Sequence, residues 1–94
     1  MREEWRPLAG YEGRYEVSNQ GRVKNVRSGR VHTGVLTADG YLVVRLTRGP
    51  GHKRAHSLSR LVCAAFNGSP PSRNHVVTHL SGEKIDCRAQ NLTW

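Results

Sequence analysis

Large apolar and polar side chains alternate from Arg14 to Ser18, and the alternation resumes from Arg22 to Val26, with Asn19-Gln20-Gly21 between them. Period two on either side of a turn-forming triplet predicts a β-hairpin. Arg30 to Leu36 adds a further strand. Beyond Ala38-Asp39-Gly40, the run Tyr41 to Thr47 is rich in β-formers and ends at Gly49-Pro50-Gly51. Lys53 to Leu58 is therefore predicted to pair back as the second arm of a hairpin. Arg45, Arg48, Lys53 and Arg54 gather around that turn, within common reach of one phosphate backbone.

The period changes at Ser59. Leu58, Leu61, Val62, Ala65 and Phe66 share one helical face, and Asn67-Gly68 followed by Pro70-Pro71 stops the run, so a core helix is predicted over about 59–67. After it, His75 to Leu80 reads as a strand, Ser81 to Lys84 as a turn and Ile85 to Cys87 as a short return. From Arg88 the pattern reads as the start of a second helix. The fold class expected is α+β: short antiparallel hairpins with one clear helix.

Ninety-four residues make about one domain, and a chain this small buries only ~60 to 65% of its unfolded surface, which directs function to its surface or a shallow cleft. A net charge of +8 with 36% apolar residues is too apolar for a disordered basic tail and too charged for a membrane protein. The charge is unevenly placed. Glu3, Glu4, Glu12 and Glu16 open the chain, whereas between Val17 and Gly82 the only acid is Asp39, set against a cation strip that includes Arg60 and Arg73. Arginine's planar fork suits phosphate oxygens and guanine edges, so the expected partner is double-stranded DNA, or an acidic protein surface imitating it. The candidate DNA-binding residues are Arg22, Lys24, Arg27 and Arg30 in the first hairpin region, and Arg45, Arg48, Lys53 and Arg54 in the second. Trp5, Tyr11 and Tyr15 are expected as core anchors. Cys63 and Cys87 are neither a disulfide scaffold nor a zinc motif, and no signal or membrane-spanning pattern is present, which gives a cytoplasmic expectation.

Two stretches carry a resemblance. Glu4-Trp5-Arg6-Pro7-Leu8-Ala9-Gly10-Tyr11-Glu12-Gly13-Arg14-Tyr15-Glu16-Val17-Ser18-Asn19-Gln20-Gly21-Arg22-Val23-Lys24 resembles the nuclease-associated modular DNA-binding domain at the front of phage and intron-borne homing endonucleases. Arg60-Leu61-Val62-Cys63-Ala64-Ala65-Phe66, then Val76-Val77-Thr78-His79-Leu80-Ser81-Gly82 and Asn91-Leu92-Thr93-Trp94, is similar to the HNH endonuclease core of the same proteins. The resemblance implies a modular DNA-binding region over 1–50 and an HNH-like core over 51–94.

It also implies roles. His79 stands at the general-base position, Asn91 at the position that braces the hairpin and aims the histidine, and Thr78 where active relatives carry a metal ligand. The cofactor implied for an active enzyme is Mg2+ or Mn2+, and the metal ligands here are unassigned, with Glu83 and Asp86 the nearest substitutes. Departures from the pattern include Thr78, a weak neutral oxygen donor. Ser59, Ser81 and Cys87 replace residues common in the family, and the sequence stops at Trp94, ahead of the helix that supplies a last ligand in relatives. Two readings follow. One is an HNH endonuclease-like, phage-type DNA-binding protein with weak or no metal-dependent nicking. The other is a catalytically inactive HNH-derived binder, such as a phage-encoded inhibitor of a host nucleic-acid-targeting defence complex or a transcription regulator.

Overall fold

Ser18 closes the first predicted hairpin: its fully buried hydroxyl accepts from the backbone N–H of Gln20 and of Arg22, both at 3.2 Å. This local satisfaction of turn donors is what Ser, Asn and Asp supply at such positions. The hairpin consists of β2 (Tyr15–Ser18) and β3 (Val23–Asn25), and a strand absent from the sequence reading, β1 (Trp5–Pro7), pairs antiparallel with β2. Pro7 lacks a donor, which is tolerated on the outer strand of a sheet and conceals it in the sequence pattern. The computed structural model describes residues 2–49, 51–72 and 74–94. Pro50 of the predicted turn and Arg73 of the cation strip lie outside them.

The expected single strand over Arg30 to Leu36 is instead two. β4 (Val31–His32) completes the first sheet, in the order β1-β2-β3-β4, and β5 (Val35–Leu36) opens a second, in the order β5-β6-β7. Thr33-Gly34 carries the chain from one sheet to the other. β6 (Leu42–Thr47) and β7 (Lys53–Ser57) form the second hairpin in continuous register from Val43↔Ser57 to Thr47↔Lys53. The boundary expected between residues 50 and 51 falls at the tip of this hairpin.

The helix α1 (Leu58–Phe66) follows β7 directly. Ser57 caps it by accepting from the Arg60 N–H, and Asn67 ends it, its N–H donating to the Cys63 carbonyl at 2.8 Å. Leu58, Val62 and Cys63 on its inner face are fully buried against Val17 and Val23 of the first sheet and Leu46 of the second, so one core draws on both halves of the chain. Tyr11 and Tyr15 belong to that core. Trp5 does not: it is half-buried, with the Lys24 ammonium 4.4 Å and the Arg22 guanidinium 5.5 Å from its ring. Two cations close to the ring satisfy the indole at the surface.

The C-terminal part departs most from expectation. Only Thr78–His79 of the predicted 75–80 strand forms β8, and its partner is β9 (Leu92–Thr93), not Ile85 to Cys87. The hairpin expected over 75–87 therefore closes through a wider loop, in which the Asp86 N–H donates to the Glu83 carbonyl and Ile85 remains 57% exposed. The helix expected from Arg88 is one 3₁₀ turn, Ala89–Asn91, which runs into β9. Backbone pairing at 92–93 overrides the weak helical pattern of so short a segment. The α+β class holds throughout.

Candidate functional site: histidine hairpin and cationic grooves

Asn91 organises the loop that joins β8 to β9. Its side chain is buried, its Oδ1 accepts from the Ser81 N–H at 2.9 Å, and its Nδ2 donates to the Asp86 carbonyl at 3.0 Å. Both ends of one carboxamide thus cross-brace the 81–86 loop. The Asn91 carbonyl accepts from the Leu80 N–H at 2.8 Å, and the Gly82 N–H donates to the His79 carbonyl at 2.9 Å, closing a turn beside the histidine.

His79 pairs with Leu92 in this frame. Its side chain is half-buried, and its Nε2, out of contact with solvent, has no hydrogen-bond partner. Burial pushes its pKa below the usual imidazole value; Asp86 pulls the other way, and Lys84 adds to the depression. The neutral imidazole is therefore the resting form near pH 7, the form a proton acceptor needs. The ring of Tyr41, just ahead of β6, lies tilted with its centroid 6.0 Å from that of His79, and Lys84 sits over Tyr41 at 4.7 Å while donating to the Asp39 carbonyl at 3.1 Å.

The donor set around His79 does not fit a resident divalent cation. Thr78 is exposed and neutral, and the Asn91 carboxamide is engaged at both ends. Both Asp86 oxygens are taken by the Arg88 fork at 2.7 and 2.8 Å, a contact that holds the carboxyl below its usual pKa. No three His, Cys, Asp or Glu side chains converge among the described residues. One unengaged imidazole nitrogen does not form a coordination sphere for a hard cation.

The eight candidate DNA-binding residues divide into two groups. Arg22 grips the Glu3 carboxylate with two nitrogens, one at 2.9 Å, and Lys24 lies 3.7 Å from Glu16. These two cations are half-buried, paired with acids and stacked on Trp5. Arg27, Arg30, Arg45, Arg48, Lys53 and Arg54 are exposed, and among the described residues none has a carboxylate within ion-pair distance. Arg30, Arg45 and Lys53 rim an open groove of about 420 Å³ whose floor includes Val31, Val35 and Val43. Lys53 also belongs to a second concavity of about 310 Å³, shared with Arg48 and Arg54, so the two surfaces adjoin through one side chain.

Other cations, inside and outside the strip, serve the scaffold. Arg60 donates to the His75 carbonyl at 3.0 Å and lies over Trp94, while Arg6 donates to the Ala65 carbonyl at 2.7 Å and lies over Phe66. Two asparagines that the sequence offers only as turn and helix-stop residues also join the parts. The Asn67 amide donates to the carbonyls of Ala89 and Leu92, each at 3.0 Å, docking β9 on the end of α1. Asn19 takes the Glu4 N–H on its Oδ1 and the Ala89 N–H on its backbone carbonyl. Their places in Asn-containing turns were the available signal.

A half-buried histidine on a two-stranded hairpin, braced by an asparagine and docked on a helix, defines the class. The chain belongs to the HNH homing-endonuclease family, matching the NUMOD4 motif over residues 3–47 and the HNH endonuclease family over residues 56–94. It is 35% identical over 91 residues to DNA endonuclease I-HmuI of Bacillus phage SP01, a match spanning 97% of this chain and 51% of the relative. An uncharacterised HNH endonuclease of Acanthamoeba polyphaga mimivirus is 35% identical over 89 residues, which span 94% of this chain and 22% of that one. The solved structure of I-HmuI, which describes DNA binding and cleavage by that enzyme, superposes with a TM-score of 0.85 at 36% identity, over 95% of this chain and 50% of the other. The chain thus spans about half the length of I-HmuI and 22% of the mimivirus protein.

Proposed function

We propose that this protein binds double-stranded DNA through the two adjoining cationic grooves and nicks it weakly or not at all. One observation carries the reading: five exposed cations, Arg30, Arg45, Arg48, Lys53 and Arg54, with no acidic partner among the described residues, border two adjoining grooves, while the hairpin that bears His79 lacks a carboxylate set for a metal ion. Unpaired cations repel one another and are stabilised by phosphates, whose condensed counterions are released on binding. In this reading the region over 1–50 and the β6–β7 hairpin hold the duplex, His79 stands as the proton acceptor, and Asn91 fixes its place. Strand residues such as Arg45 face base edges or backbone, and turn residues such as Arg48 reach phosphates. Any Mg2+ or Mn2+ would be held by ligands other than this hairpin's own side chains.

Two measurements test the proposal. In a mobility-shift titration, log affinity should fall with log salt at a slope of roughly −4.5 if about five phosphates are contacted. A salt-independent response rejects DNA as the partner and favours a protein surface. With supercoiled plasmid and Mg2+ or Mn2+, nicking should stay within a few-fold of a His79→Ala control. Robust linearisation lost in that control would show an active nuclease and reject the weak-cutting part.

A further inference from the structure

The loop between β1 and β2 meets the tip of the β6–β7 hairpin in the concavity of about 310 Å³ lined by Tyr11, Arg48, Gly51, His52, Lys53 and Arg54. Arg48, Lys53 and Arg54 lie in the stretch 48–55, between the two segments that match known families. Its three arginine and lysine side chains have no carboxylate within ion-pair distance among the described residues. One of them is held in place. The Arg48 guanidinium lies 5.0 Å from the centroid of the Tyr11 ring. Tyr11 is itself fixed: it is 3% exposed, its hydroxyl is 2.8 Å from His56 Nε2, and its ring packs edge-on to Tyr15. The guanidinium also crosses Gly10, where a Cβ would come within 2.8 Å of its terminal nitrogen, and Gly10 has a φ of +84°.

Stacking occupies the face of a guanidinium and leaves its N–H edge available for an anion. Because the side chain is already ordered, binding loses less conformational entropy than it would at a freely rotating surface arginine. The two neighbouring cations raise the local potential without offering a competing acid.

We propose that this concavity is a pocket for one phosphate group. Arg48 acts as the preorganised fork, Lys53 and Arg54 complete the charge, and Gly10 leaves the space that Arg48 occupies. The phosphate is assigned to the DNA backbone on the strength of the function proposed above. The pocket itself rests only on its geometry.

The test has two arms on the whole protein. In the first, the arginine Nε–H resonances are followed by NMR during titration with inorganic phosphate, with chloride at matched ionic strength as the comparison. Phosphate should shift Arg48 saturably and Arg27 little, whereas equal, non-saturating shifts at all exposed arginines overturn the pocket. In the second arm, duplex affinity is measured for Arg48→Ala and Arg48→Lys. Both should lose about tenfold, the scale of a charge-assisted hydrogen bond, because lysine keeps the charge but not the planar fork. Wild-type affinity in Arg48→Lys overturns the proposal, since the site would then be charge alone. Gly10→Ala should behave like Arg48→Ala if it folds, and the lysine variant decides the matter if it does not. Absence of duplex binding by the wild-type protein would reject the DNA reading, while the phosphate titration still decides the pocket.

Discussion

Gly21 and Cys87 pack together so closely that a Cβ on the glycine would lie 3.1 Å from the carbonyl carbon, the oxygen and the Cβ of the cysteine. With Asn19 accepting from the Ala89 N–H at 2.8 Å, this contact fastens the turn between β2 and β3 to the loop that carries the nuclease hairpin. Gly21 also has a φ of +84°, where L residues are strained. Gly21→Ala should therefore lower the unfolding free energy by about 2–5 kcal/mol, combining backbone strain with overpacking. Gly29, with a φ of +75° and open space around it, supplies the comparison: Gly29→Ala should cost only the strain, about 1–3 kcal/mol. Equal urea midpoints for the two variants would contradict the close contact.

Removing the Asn91 carboxamide strands two backbone groups, the Ser81 N–H and the Asp86 carbonyl. Asn91→Ala should cost about 2–5 kcal/mol and speed amide exchange at Ser81. In Asn91→Asp, Ser81 keeps its acceptor while the Asp86 carbonyl loses its donor, so exchange at Ser81 should stay slow although stability drops.

The division of the cations predicts unequal effects on DNA. Arg45→Ala should reduce the steepness of the salt dependence by about 0.9 and weaken binding, because one phosphate contact is lost. Arg22→Ala should leave the salt slope unchanged, since Arg22 is held by Glu3. A larger slope change for Arg22 than for Arg45 would reverse the assignment.

His32 and His56 both have pKa values depressed chiefly by burial, with neighbouring arginines adding to the effect. The folded protein therefore binds fewer protons than the unfolded chain as pH falls below the unfolded imidazole value of 6.5. Their contribution to stability is complete above that pH and declines as the medium becomes more acidic. Urea midpoints should fall between pH 7.5 and about 5, and His56→Gln should flatten part of the decline.

Both cysteines are buried. Burial raises the Cys63 thiol above its ordinary pKa and pushes Cys87 up to about 11. Alkylation by iodoacetamide at pH 8 should be slow in the folded protein and fast in urea, because the reactive thiolate is scarce and shielded. Rapid modification of Cys87 in the native protein would contradict its packing against Gly21.

The sequence revealed the long hairpin and the helix well because their signals are internal: period two around a Gly-Pro turn, and one apolar face ended by Asn67-Gly68. β1 and β9 were hidden because each is two or three residues long and takes its pairing from a distant partner, Tyr15–Ser18 for one and Thr78–His79 for the other. Ile85, a β-former, pointed to the wrong return strand, since the bracing by Asn91 that shapes the loop spans 10 residues on one side. Charge count found the cation strip, but which cations are free depends on Glu3 and Glu16 crossing the sheet, which periodicity does not encode.

The register that runs unbroken from Val43↔Ser57 to Thr47↔Lys53 governs how such proteins can be recombined. A chimera that joins the front of one homologue to the nuclease hairpin of another at residue 50 would ask two unrelated strands to zip together. Crossing over after β7, with the whole ribbon inherited from one parent, preserves those ladder bonds and confines the mismatch to the contacts under α1.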